Sequence, residues 1–115
     1  MEGTEPVLFG KVYDYLVWLI PVVESFPRSY RFFLGDRIQR LAIELYELVI
    51  EAAYTKDRIE KLDRANLAVE KLRLFFRLCR DLKIIGNDKY RQASEMNDEI
   101  GRMIGGWKKH QSSRR

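Results

Sequence analysis

The 115-residue chain carries one cysteine, one histidine and three prolines. Cys79 alone closes no intrachain disulfide, and without a Cys/His cluster no structural zinc site is expected. A single histidine, His110, also excludes any catalytic or metal constellation that needs two. Long hydrophobic runs are missing as well. The most apolar stretch, Tyr15 to Val23, lies between Asp14 and Glu24. As a helix it rises only about 13–14 Å, against about 30 Å of bilayer hydrocarbon, so no membrane span is expected. The first residues are acidic and show no secretory pattern, which points to a cytoplasmic chain. No phosphate-binding loop, nucleophile elbow, dinucleotide turn or Glu-x-x-His pair occurs. The expectation is a non-enzymatic protein with no catalytic residue, no metal ligand and no cofactor.

None of the prolines (Pro6, Pro21, Pro27) lies beyond residue 27, and the remainder is rich in Leu, Glu, Lys and Arg. Such a stretch suits long helices. Four are predicted, over residues 8–25, 29–54, 57–85 and 88–109, with 110–115 as a disordered basic tail. The first repeats Phe9, Val12, Tyr13, Leu16, Ile20 and Val23 at helical spacing, with Pro21 inside it as a source of kinking. The second repeats Leu34, Ile38, Leu41, Leu45, Leu48 and Ala52. The third follows Leu62, Ala65, Val69, Leu72, Phe76 and Cys79, which makes Cys79 a small buried hydrophobe. Gly86-Asn87-Asp88 reads as a helix stop and restart with Gly86 at the C-cap. The fourth carries Ala93, Met96, Ile100, Met103 and Trp107. Short connections between long helices make an all-α, antiparallel up-down-up-down four-helix bundle in a single domain.

A bundle helix buries one apolar stripe, and three helices show more than one. Leu67, Leu74 and Leu78 fall opposite the main stripe of the third. Tyr15, Trp18 and Val22 lie off the assigned stripe of the first, and Ile43 and Ile50 off that of the second. Apolar side chains in that number exceed what a monomer usually exposes, so these eight residues are predicted to form a self-association surface.

Net charge is +4, unevenly spread. Residues 1–26 hold one basic and four acidic side chains, whereas residues 57–85 hold eight basic and five acidic ones. On the third helix Arg73, Arg77 and Arg80 fall within about 60° of arc, with Lys83 at the helix end. Arginines in file suit a phosphate backbone. Glu70 and Asp81 stand at salt-bridge spacing from Arg73 and Arg77, so a solvated, ion-paired face is the competing reading. Lys108 and Lys109 add charge near the end of the chain. Tyr30, Phe32 and Phe33 beside Arg28 and Arg31 have the make-up of a base-stacking site, but read first as packing at the start of the second helix.

Several segments taken in order resemble a known family. They are Tyr15-Leu-Val-Trp-Leu-Ile-Pro21, Ser25-Phe-Pro-Arg28, Phe33-Leu-Gly-Asp-Arg-Ile38, Leu72-Arg-Leu-Phe-Phe-Arg-Leu78 and, most specifically, Glu99-Ile-Gly-Arg-Met-Ile-Gly-Gly-Trp107. Together they are similar to the accessory variability determinant (Avd) proteins of diversity-generating retroelements. Four-helix proteins encoded in 23S ribosomal RNA intervening sequences share the plan. The resemblance implies a barrel-like homopentamer that binds RNA or DNA, associates with the element's reverse transcriptase and supports mutagenic copying of template RNA. It puts Arg73 and Arg77 first among nucleic-acid contacts, then Arg80, Arg102 and the Lys108-Lys109 pair. The alternative is an intervening-sequence type of bundle with a structural role and no polymerase partner.

Overall fold

In the computed structural model, residues 4–113 are described, with side chains from residue 7 to residue 112. Four long helices build it: α1 (Thr4–Glu24), α2 (Asp36–Tyr54), α3 (Arg58–Asp81) and α4 (Asn87–Ser113). Helix α2 packs on α1 and α3, and α4 packs on α3 and α1, leaving α1 and α3 diagonal across the bundle. No strand occurs among the described residues. The molecule measures 48 × 22 × 19 Å.

The core follows the predicted stripes closely on α2 and α3. Ile38, Leu41, Leu45, Leu48 and Ala52 are buried on α2, and Leu62, Ala65, Val69, Leu72, Phe76 and Cys79 on α3. Helix α1 is different. Its buried residues are Leu8, Val12, Tyr15, Leu16, Leu19, Val22 and Val23, while Tyr13, Val17 and Ile20 face outward. The helix is therefore rotated by about 70° from the expected stripe, at 100° per residue. A helix apolar nearly all round carries little information about which side faces in. Pro21 lies within α1 but one turn from its end, where one lost backbone bond does little harm.

Between α1 and α2 the chain makes a single turn, Arg28–Tyr30, and then a π-helical turn, Arg31–Gly35. The backbone N–H of Asp36 donates to the Arg31 carbonyl, which closes this wide turn. Gly35 is buried here, and a Cβ on it would lie 2.8 Å from Val23 Cγ1. The missing side chain lets the turn press against the end of α1.

Helix α3 stops at Asp81, four residues earlier than expected. The left-handed residue that ends it is Lys83, at φ 63°, rather than Gly86. Lys83 N–H donates to the Arg80 carbonyl and Ile84 N–H to the Cys79 carbonyl, at 2.9 and 2.8 Å. This paired pattern satisfies the last carbonyls of a helix. At the far end α4 stays helical through Ser113, beyond the expected start of the tail, and Arg114 and Arg115 lie outside the described residues. The cause is Arg58. Its guanidinium lies 5.6 Å from the ring centroid of fully buried Trp107 and donates to Gln111 Oε1 at 3.0 Å. It also donates to the Ala52 and Ala53 carbonyls, so one side chain ties the end of α2 to the last turns of α4.

Candidate nucleic-acid interface and association faces

The predicted cations separate into two groups. Arg73 is half-buried and forms an ion pair with Asp98 across the α3–α4 seam. Its Nε also lies 3.0 Å from Glu70 Oε1, without hydrogen-bond alignment. A Cβ on Gly101 would come within 3.0 Å of Arg73 Nη2, so this glycine leaves room for the guanidinium. Lys108 pairs with Asp63 across the same seam. Arg80 reaches Asp81 at 3.0 Å and lies 4.3 Å from the Tyr90 ring centroid. These three hold helices together, so the ion-paired reading applies to them. Arg77, Lys83, Arg102 and Lys109 are exposed and make no ion pair among the described residues. Arg102 and Lys109, seven residues apart, lie nearly one above the other on the outer face of α4.

The eight apolar candidates separate too. Tyr15 and Val22 are buried within the protomer and Trp18 is half-buried against the core. Trp18 stacks on Tyr15, touches Phe76 and donates from Nε1 to Gln92 Oε1 at 3.0 Å, bridging α1, α3 and α4 from inside. These three belong to the bundle interior, a correction that follows from the rotation of α1. Leu67, Leu74, Leu78 and Ile43 are exposed, and Ile50 is partly so. Leu74 and Leu78, with Phe75, Lys71 and Arg37, line an open groove of about 410 Å³. The exposed stripe of α1 is Tyr13, Val17 and Ile20. Correct assignment of the inward side would have revealed it, because its members recur at four and three residues.

Two rings that the sequence assigned to packing are instead among the most exposed apolar side chains. Phe32 is 68% and Phe33 63% exposed, whereas their neighbour Leu34 is buried. Inside the bundle, Tyr15 has its hydroxyl pushed well above the ordinary tyrosine range by burial, opposed in part by the adjacent Asn97 side chain, which makes no aligned hydrogen bond to it, and by the charge of Arg73. Burial likewise raises the Cys79 thiol to about 11. Both side chains are fully buried in the core. Among the described residues no group of three or more His, Cys, Asp or Glu side chains is placed to hold a metal ion. No helix among them is long and apolar enough to cross a membrane.

The bundle thus presents outward leucines on α3, and cations without ion-pair partners on α3, the turn after it and α4. The family model described as bAvd-like matches residues 7–111. The chain belongs to the bAvd-like family. The match spans all four helices, in agreement with the likeness to Avd proteins read from the ordered segments. The bAvd-like chain also resembles in fold a crystal structure from Bacteroides thetaiotaomicron, described as a protein of unknown function from the S23 ribosomal protein family. The two superpose with a TM-score of 0.85 at 17% identity, covering 92% of this chain and 98% of the other. A search of curated proteins finds none that matches. In this bAvd-like protein the seam clamps Arg73 and Lys108 are thus distinct from the exposed cations Arg77, Lys83, Arg102 and Lys109.

Proposed function

We propose that this bAvd-like protein is a non-enzymatic accessory factor that binds nucleic acid, associates with a retroelement reverse transcriptase and supports mutagenic copying of template RNA. The observation that carries the reading is the set of exposed cations without an ion-pair partner, Arg77 on α3, Lys83 in the turn after it, and Arg102 and Lys109 on α4. Cations left without carboxylate partners suit a phosphate backbone, and family membership supplies the context. Each protomer contributes few of them, so self-assembly into a homopentamer multiplies the surface.

Two apolar stripes support that assembly. Tyr13, Val17 and Ile20 face outward on α1, with Asp14 and Glu24 exposed on the same helix. Leu67, Leu74 and Leu78 face outward on α3, beside exposed Lys71 and Arg37. Because α1 and α3 are diagonal, the stripes lie on opposed sides of one protomer and bear opposite charge. An acidic apolar face on one copy meeting a basic one on the next is a head-to-tail contact, the type that closes into rings.

Binding of labelled template RNA by the Arg77→Glu/Arg102→Glu/Lys109→Glu variant tests the nucleic-acid reading. Affinity is expected to fall, and the dependence of log K on log salt to flatten by about one per lost contact. Unchanged affinity and slope would remove the proposed surface. Co-purification with the reverse transcriptase of the same element tests the partner.

A further inference from the structure

Phe32 and Phe33 are adjacent, and both rings stand in water on a turn whose own core residue, Leu34, is buried beside them. The turn under them is firmly seated. Gly35 presses against Val23, and Arg31 Nη1 donates to the Glu24 carbonyl. π-Helical turns are uncommon and frequently mark functional positions. The Arg31 and Arg28 guanidinium carbons lie 5.2 and 5.9 Å from the Phe32 ring centroid, and Tyr30 leans on Phe33 at 6.1 Å. Beside Phe32, Glu24, Arg31, Asp36 and Gln39 line an open depression of about 390 Å³. Arg28, Arg31, Arg37 and Arg40 outnumber the two carboxylates at this site, Glu24 and Asp36, and Arg40 already engages Asp36 at 2.7 Å. Arg37 also lines the groove beside Leu78, which places this turn at the same end of the bundle as Arg77.

Exposed rings set among surplus arginines present two things at once, a π face and positive charge. Unpaired nucleobases have both complements, because their faces stack and their phosphates are anionic, whereas bases in a duplex are already stacked on one another. We infer that the Arg28–Gly35 turn is a stacking site for single-stranded nucleic acid, with Phe32 and Phe33 holding unpaired bases and Arg28, Arg31 and Arg37 holding the adjoining phosphates. This rests on the reading of the protein as a nucleic-acid binder. It adds to it a preference for unpaired strands, at a site outside α3 and α4.

The test compares fluorescein-labelled oligouridylate with a blunt RNA duplex of equal length, bound to the wild-type protein and to Phe32→Ala, Phe33→Ala and Phe32→Tyr. Each alanine variant is expected to weaken oligouridylate binding at least about fivefold, with duplex affinity and salt slope unchanged. Phe32→Tyr, which keeps the π face, should bind like wild type. Circular dichroism melts should be unaltered, since both rings are largely in solvent. Wild-type protein that binds neither probe overturns the nucleic-acid reading itself. Wild-type protein that binds both, with the alanine variants indifferent, overturns the stacking site alone. Loss of reverse-transcriptase co-purification by the alanine variants, with oligouridylate binding intact, assigns the rings to a protein contact and equally overturns it.

Discussion

Arg73→Ala removes a guanidinium that joins α3 to α4 through Asp98 and is flanked by Glu70. An exposed ion pair contributes at most about 1 kcal/mol, and breaking a fully buried one costs about 3–5 kcal/mol. This site lies between those limits, because the Arg73 and Asp98 side chains are 34% and 49% exposed and water reaches the abandoned carboxylate. The alkyl stem also loses its packing along the seam. The expected loss is about 1–2 kcal/mol, or about 4–8 °C in melting temperature for a domain of this size. Arg77→Ala, one turn away and without an ion pair, should melt within about 1 °C of wild type. In the binding assay the order reverses, with Arg77→Ala the weaker binder once Arg73→Ala is measured well below its own melting temperature. The assay is thermal melting by circular dichroism beside anisotropy with labelled RNA. An Arg73→Ala protein that melts like wild type while losing RNA would refute the assignment of this residue to the seam.

Further outcomes are expected. Val17→Asp and Leu74→Asp each break one of the two proposed association stripes, so each variant alone should be monomeric. Mixed, they should form a heterodimer by native mass spectrometry, because each retains the face that the other lost; a symmetric contact between α3 stripes would leave Val17→Asp dimeric. Gly35→Ala should destabilise by about 1–3 kcal/mol in denaturant titration, since its Cβ meets Val23 Cγ1 at 2.8 Å. Gly105→Ala and Gly106→Ala, with nothing within 4 Å of the added carbon, should raise stability by about 0.5–1 kcal/mol each as helix-interior glycines. Cys79 favours its neutral thiol in the folded state, where burial lifts it to about 11 from the ordinary 9.0. Its contribution is complete below pH 9 and fades as pH rises towards 11, so Cys79→Ala should flatten the high-pH decline in stability.

Periodicity located the cores of α2 and α3 because each of these helices has a polar side for contrast, with glutamates on α2 and arginines and acids on α3. It misplaced the inward side of α1 because Tyr13, Val17 and Ile20 are as apolar as Tyr15, Leu19 and Val22. Only the surfaces of α2 and α4 decide between them. The same error moved three interior residues onto the expected association surface. Leu67, Leu74 and Leu78 were readable as outward because α3 has a definite core opposite them. The fate of the cations was less accessible. Arg73 and Lys108 find their acids, Asp98 and Asp63, on a different helix, at separations in sequence that no local spacing rule covers. Arg58 drew no attention for the same reason, although its contacts carry α4 through the segment expected to fray. Phe32 and Phe33 lie off the stripe of Leu34, Ile38 and Leu41, so their exposure was implicit in helical spacing. The π-helical turn that seats them was not, because one extra residue in a turn leaves no mark in composition.

Sedimentation velocity of the purified wild-type protein at micromolar concentration, alone and with oligouridylate in low salt, bears most directly on the whole account. A closed oligomer that sediments faster with the RNA, and releases it as salt is raised, is the predicted result. A monomer whose sedimentation the RNA leaves unchanged would contradict it.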